Sequence, residues 1–358
     1  MPTNLARTPW SYSNYWEHWY NDFAILLHFS NTRIHMKARN QTAAMLQMTL
    51  FVGGLLLSVS FASAADPELD AALEPTLRDV LYGDSPRHKL HFWKADSARP
   101  TALAFHIHGG GWNGGERLNR NLISVLPGLL KAKISVVSVE YRLIRHAVKE
   151  GVDPPVKAPL YDCAHALQFV RSKANEWNLD PKRVAAFGGS AGGCTSLWLA
   201  FHDDLADPCS EDPIARLSTR PNFAVGLRAQ TTLDPMQMKK WMPNGFYGGH
   251  AFGIINPGKE NREKSIKAFL ASRDQMLSTI NEYSPYALAS SDDPPVYLYY
   301  HVKPAMGKDT KDPTHSSNYG VKLHEHLQSL GVKSELVYPG APDIIHATIE
   351  ECLVSRLK

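Results

Sequence analysis

Ser190 sits in the run Phe187-Gly188-Gly189-Ser190-Ala191-Gly192-Gly193, which contains a G-x-S-x-G spacing. The apolar run Arg183–Phe187 precedes it and the helix-like run Ala191–His202 follows. A strand, a glycine-flanked serine and a helix together make the turn that turns a serine into a nucleophile. Side chains larger than hydrogen at Gly188 and Gly192 would collide with neighbouring backbone. The Ser190 hydroxyl is then expected clear of the sheet, at a helix N-terminus whose dipole favours negative charge.

A second run lies upstream, Ala102-Leu103-Ala104-Phe105-His106-Ile107-His108-Gly109-Gly110-Gly111-Trp112. An apolar strand running into three glycines exposes bare backbone N–H groups. Those of Gly109, Gly110 and Gly111, with that of Ala191 beside the serine, are expected to face a developing oxyanion. Either motif alone is weak, since glycine-rich turns are common. Both in this order, each at a strand end, point to acyl transfer.

With these motifs in place, His108–Trp112 and Gly188–Gly193 resemble the α/β-hydrolase superfamily. Within it they are similar to carboxylesterases of the hormone-sensitive-lipase and acetyl-xylan/feruloyl-esterase type. The resemblance runs from about residue 75 to the C-terminus. It implies a serine hydrolase with chain order Ser, then Asp or Glu, then His; no cofactor or metal is expected. Four histidines, His315, His324, His326 and His346, follow the acid region. His324 and His326 fall inside a helical run, Tyr319–Leu330. His346 follows the last strand and a Pro339-Gly340 break, where the resemblance implies the base. The acid is expected after the strand Val296–His301, at Asp312, by its spacing to a helix, Gly331 and the last strand. Asp309 is the runner-up, because the loop Val302–Lys311 is long and His301-Val302-Lys303 lacks the family's His-Gly.

The elements that must position these residues alternate between strand and helix character, the pattern of a mainly parallel central sheet with helices on both faces. Strands are expected at Leu103–His108, Ile134–Glu140, Val184–Phe187, Phe223–Leu227, Val296–His301 and Glu335–Tyr338. Leu160–Trp177 carries a helical apolar stripe. Between residues 235 and 290 an irregular insertion holds Trp241, Phe246, Tyr247, Phe252 and Pro257, and is expected to form a small cap or pocket wall. Trp112, Trp241, Phe246 and Tyr247 are the candidate pocket aromatics.

The 358 residues do not all read as enzyme. Met36-Lys37-Ala38-Arg39, the apolar stretch Met45–Phe61 and Ala62-Ser63-Ala64 form a signal peptide over 36–64, with cleavage after Ala64. Residues 1–35 read as an upstream mis-start, and 65–358 as one α/β domain. A secreted or periplasmic enzyme is expected, with no membrane attachment after cleavage. Cys163, Cys194, Cys209 and Cys352 could then form disulfides in three pairings. Cys194 reads as a small buried apolar residue.

The chain has 38 Lys+Arg against 35 Asp+Glu, and residues 1–64 hold four of the former and two of the latter. The remainder is nearly neutral, which argues against nucleic-acid partners. Gly110 to Gly115 is spaced like a phosphate loop, but Glu116 replaces the needed lysine. His324-Glu325-His326 lacks zinc-helix spacing. The expected partner is a small ester or acylated carbohydrate, with short acetyl or feruloyl-like acyl groups. The alternatives are a catalytically weak binding protein of this fold and an amide hydrolase such as an arylformamidase.

Overall fold

The structure is a computed structural model that describes residues 73–254 and 261–358. The expected signal segment, the expected upstream extension, the expected cleavage point after Ala64 and Pro257 lie outside the described residues.

Eight strands form one sheet: β1 (Leu77–Leu81), β2 (Lys89–Trp93), β3 (Thr101–Ile107), β4 (Ile134–Val139), β5 (Leu179–Gly189), β6 (Phe223–Leu227), β7 (Val296–Tyr299) and β8 (Ser334–Val337). Their order is β1-β2-β4-β3-β5-β6-β7-β8. β1 pairs antiparallel with β2, and β2 with β4; the other pairings are parallel. Five helices of nine residues or more are described: α1 (Lys157–Ser172), α2 (Ala191–Phe201), α3 (Arg262–Glu282), α4 (Ser317–Ser329) and α5 (Ile349–Leu357).

The central strands are buried along their whole length because both faces are covered. Successive side chains of a strand point to opposite faces, so each strand feeds two cores. Leu103, Phe105 and Ile107 of β3 join one core, with residues of α1, α2 and α4. Ala102 and Ala104 join the other, with Leu126, Leu129 and Leu353 of α5. The same alternation splits Val137 and Val139 from Ile134 and Val136 in β4.

The expected strands and helices are present, with α1 ending at Ser172 before a separate turn, Ala174–Trp177. The pair β1–β2 was not among the expected strands. β1 reads Leu-Arg-Asp-Val-Leu and is mostly exposed, so it carries no buried-strand signature. The insertion after β6 contains a short helix, Pro235–Trp241, a 3₁₀ turn, Gly249–Phe252, and α3. Among the described residues no helix is long and apolar enough to cross a membrane.

Candidate active site

β5 delivers Ser190 through a turn with no spare room. A Cβ on Gly188 or Gly192 would run into the backbone carbonyl of Ile107. Ser190 itself has φ 55° and ψ −123°, a region that costs about 1–3 kcal/mol for a residue with a side chain. Its N–H donates to the Leu227 carbonyl at 2.8 Å, and its carbonyl accepts from Cys194 N at 2.9 Å. The turn is thus tied to β6 on one side and to α2 on the other.

The glycine loop after β3 lies against this turn: a Cβ on Gly109 would come within 3.5 Å of Ser190 Cβ. Three successive carbonyls in the loop are engaged. The Gly109 carbonyl is 2.8 Å from the His108 ring Nδ1, the Gly110 carbonyl accepts from Asn113 N at 3.0 Å, and the Gly111 carbonyl is 3.0 Å from His250 Nε2. In a trans peptide the N–H points opposite to the C=O. Pinning the carbonyls of Gly109 and Gly110 therefore aims the N–H groups of Gly110 and Gly111 to the other side. Neither N–H has an acceptor among the described residues. Ala191 N–H, the first of α2, has no intrahelical acceptor either.

The histidine at Ser190 is His315. Its Nε2 lies 3.0 Å from Ser190 Oγ, and its Nδ1 lies 2.7 Å from Asp312 Oδ2. The carboxylate fixes the tautomer: Nδ1–H donates to Asp312, which leaves Nε2 to accept from the serine hydroxyl. Asp312 and His315 share one turn between β7 and α4. Thr314 N donates to Asp312 Oδ1 at 3.2 Å, and Gln230 Nε2 donates to the Thr314 carbonyl at 2.5 Å. Burial tends to raise the Asp312 carboxyl, but the hydrogen bond and charge of His315 and the neighbouring backbone N–H groups outweigh it. The net direction is below the ordinary value, so the carboxylate is held ionised.

His346 is not at the serine, and its expected place as base is corrected here. Its Nδ1 lies 2.8 Å from Glu335 Oε2, and its N–H donates to Glu335 Oε1. Its carbonyl accepts from the Tyr297 hydroxyl at 2.9 Å. Tyr297 and Glu335 are register partners near the starts of β7 and β8. The loop after β8 therefore folds back along the sheet, away from the C-terminal edge where Ser190 stands. The sequence signal for the true neighbour was Asp312-Pro313-Thr314-His315, an acid and a histidine three residues apart. The family order points instead to a separate loop after the last strand. Asp309 is exposed, whereas Asp312, the expected acid, meets His315 rather than His346.

The other candidates divide. Trp112 is fully buried and its indole Nε1 donates to Thr195 Oγ1 at 3.0 Å, which makes it a brace between the glycine loop and α2. Trp241 is buried against Tyr286 and Tyr319. Phe246 carries the Arg262 guanidinium 4.2 Å above its ring. Of the three from the insertion, Tyr247 alone is seen to come to the glycine loop: a Cβ on Gly111 would lie 3.7 Å from its hydroxyl and from His250 Nε2. His250, which sequence reasoning did not select, lies 139 positions from the carbonyl it holds.

His106 is 2.7 Å from Ser138 Oγ through Nδ1, and His108 stacks on Tyr141 at 4.1 Å. Burial lowers them to about 3 and about 4, and His250 to about 4, so all three are neutral at pH 7. Glu335, His346 and Cys352 place potential metal-ligand atoms within 4.8 Å of one another. Two of these atoms already satisfy each other through the Glu335–His346 hydrogen bond. All four cysteines are free, and Cys194 is fully buried.

A mainly parallel sheet with this strand order, and a serine elbow at the end of β5, define an α/β-hydrolase fold. The BD-FAE family model matches residues 92–306, and the chain belongs to that family. A versiconal hemiacetal acetate esterase of Dothistroma septosporum is 32% identical over 125 residues, 34% of this chain and 35% of that protein. An arylesterase of Saccharolobus solfataricus is 36% identical over 95 residues, 26% of this chain and 28% of that one. The chain thus spans about a third of the length of these curated relatives. Among solved structures, an acetyl ester-xyloside bifunctional hydrolase from Caldicellulosiruptor lactoaceticus is similar at TM-score 0.51 and 22% identity, covering 71% of this chain and 78% of that one. Thermogutta terrifontis esterase 2, phosphonylated by sarin, is similar at TM-score 0.55 and 18% identity, covering 79% and 93%. These two likenesses show the fold.

Proposed function

We propose that this protein is a serine carboxylester hydrolase acting on short acyl esters. The observation that carries the reading is the Ser190–His315–Asp312 chain, with contacts of 3.0 and 2.7 Å. His315 Nε2 takes the Ser190 proton as Oγ attacks the ester carbonyl, and Asp312 stabilises the imidazolium that forms. The N–H groups of Gly110, Gly111 and Ala191 receive the negative oxygen. His315 then gives its proton to the departing alcohol. Water, activated by the same imidazole, hydrolyses the acyl-enzyme. The esterase names of the curated relatives support the reaction class.

The substrate is an acetyl or feruloyl-like ester on a carbohydrate. Support comes from the acetyl ester-xyloside hydrolase among the structural neighbours and from the predicted export. Cleavage after Ala64 makes Ala65 the first residue of the exported protein. N-terminal sequencing that instead finds the full chain retained in the cytoplasm contradicts export.

The reaction is tested with p-nitrophenyl acetate and a fluorophosphonate probe. The probe labels Ser190, and Ser190→Ala loses several orders of magnitude in kcat, down to the roughly 10³–10⁴-fold residual catalysis over water of a site without its nucleophile. A Ser190→Ala protein that keeps a tenth of the activity overturns the reading.

A further inference from the structure

The mechanism leaves one cation on the catalytic edge of the sheet without a task. Arg228 is the first residue past β6. The carbonyl of Leu227, just before it, accepts from Ser190 N at 2.8 Å. The N–H of Arg228 donates to the Tyr299 carbonyl, at the end of β7, at 2.8 Å. Arg228 thus stands between the strand that ends in the nucleophile and the strand whose loop carries Asp312 and His315. Its φ of 48° is left-handed, like the 55° of Ser190 on the adjoining strand. Strain of this kind persists only where the surroundings hold it, and it gathers at functional sites.

Arg228 is part-buried, and its Nε, closed to solvent, has no hydrogen-bond partner among the described residues. A guanidinium offers a fork of N–H donors and keeps its charge, and taking it from water is costly unless an anion meets it. The acid of the triad is already engaged: Asp312 accepts from His315 through Oδ2 at 2.7 Å and from Thr314 N through Oδ1 at 3.2 Å. Burial lowers Arg228 and the Asp312 charge opposes it. Burial also lowers His301, and the charges of Arg228 and His315 add to that.

More positive charge lies on the same edge. The short helix Pro235–Trp241 follows β6, and the loop 301–311 follows β7, so both rise from strand ends on the side of Ser190. They pack on one another: Gly307 N donates to the Trp241 carbonyl at 2.9 Å, and Asn244 Nδ2 to the Thr310 carbonyl at 2.8 Å. The helix carries Lys239 and Lys240 and no acid, and the loop carries Lys303, Lys308 and Lys311 against Asp309 alone. Lys240, Lys303 and Lys308 are exposed. Asp234, which caps the helix, is held by Arg273 through contacts of 2.8 and 2.7 Å. The whole chain has a formal net charge of only +3, so this face is a local concentration of positive charge beside the catalytic turn.

We propose that Arg228 and this lysine-bearing face bind the carbohydrate portion of the ester, and that the carbohydrate is acidic: a chain of uronate units whose carboxylates meet the guanidinium and the lysines. The inference rests on the esterase reading and deepens it by giving the alcohol side its charge. A short acetyl group carries none. Cations spread over two surface elements match carboxylates repeated along a polymer. Arg228, fixed by the sheet beside Ser190, meets the unit nearest the ester. Its planar fork can take one carboxylate in bidentate fashion, which a lysine cannot.

The test compares acetylated polygalacturonate, its carboxylates free, with the same polymer after their conversion to neutral amides. Acetate release gives kcat/KM for each. The unaltered enzyme is expected to favour the acidic form by about tenfold, the effect of a charge-assisted hydrogen bond at a part-exposed site. Most of that preference should vanish as salt rises from about 0.02 M to about 0.5 M and screening sets in. Arg228→Gln lowers the preference, and Lys303→Gln combined with Lys308→Gln lowers it by a smaller share. The readout is a ratio, so damage to the fold or to the triad strikes both polymers alike and does not imitate the effect. A ratio of one in the unaltered enzyme overturns the inference without needing any variant to fold. So does a preference that survives both sets of substitutions. Acetate release from neither polymer, by an enzyme that turns over p-nitrophenyl acetate, overturns this inference alone. If p-nitrophenyl acetate is not hydrolysed either, the esterase reading falls and takes this inference with it.

Discussion

His315 and Asp312 stand three residues apart in one turn, joined by a 2.7 Å contact between Nδ1 and Oδ2, while His315 reaches across 125 positions to Ser190. Acid and base are thus positioned by a single loop between β7 and α4. Gln230, three residues past the end of β6, holds that loop through the Thr314 carbonyl. A shift of the loop moves both groups together and preserves their mutual geometry.

This relationship separates the two histidines sharply. His315→Ala is expected to lower kcat by about 10⁴-fold or more, and Asp312→Asn by about 10⁴-fold through the wrong tautomer. Because the two act as a unit, the double variant should cost little more than the worse single one. His346→Ala should leave kcat within a few-fold and lower stability by about 1 kcal/mol, the worth of its bond to Glu335. Steady-state kinetics and urea unfolding of the same proteins decide it. Equal activity losses at His315 and His346 contradict the assignment.

His250 is expected to act through Gly111 as a positioning residue. His250→Leu frees the Gly111 carbonyl and lets the oxyanion loop turn, so kcat falls by about tenfold with little change in KM, since the loop's donors act in the transition state. His250→Gln, whose amide can donate to the same carbonyl, should restore most of the loss. An effect confined to KM, or no rescue by glutamine, argues that His250 only fills space.

Stability should fall as pH drops from about 6.5 towards 4. In the folded protein burial depresses His106 to about 3, and His108 and His250 to about 4. In the unfolded chain these groups titrate near 6.5. Between those limits the unfolded state binds the extra protons, so unfolding becomes easier as pH falls. Each such group contributes about 1.4 kcal/mol per pH unit. Asp293, raised by burial to about 6, works in the opposite direction and offsets about one of them. Urea midpoints at pH 7, 6 and 5 measure the slope. His106→Asn should flatten it by about one proton, and a curve level from pH 7 to 4.5 refutes the account.

The sequence by itself determined what depends on contiguous residues. Gly188, Ser190 and Gly192 specify the elbow because a side chain at either glycine meets the Ile107 carbonyl. The glycine run after β3 specifies a loop with free N–H groups, because three adjacent residues lack a Cβ. The continuous apolar runs of β3 and β4, buried on both faces, make the parallel sheet legible. β1 was not legible, since its exposed Leu-Arg-Asp-Val-Leu gains its place only by pairing with β2.

The tertiary structure alone decided which histidine serves Ser190. Both His315 and His346 follow strands, and chain order alone does not say which loop closes on the serine. The choice is made by where each loop is tied down. The loop carrying His346 is drawn back by Glu335 and Tyr297 at the far end of their strands. The loop carrying His315 is held at the serine by Gln230 and Asp312. The same holds for His250 and Tyr247, whose place beside Gly111 exists only because the insertion packs onto the glycine loop. Contacts between residues more than a hundred positions apart are set by packing of whole elements, and no local pattern records them.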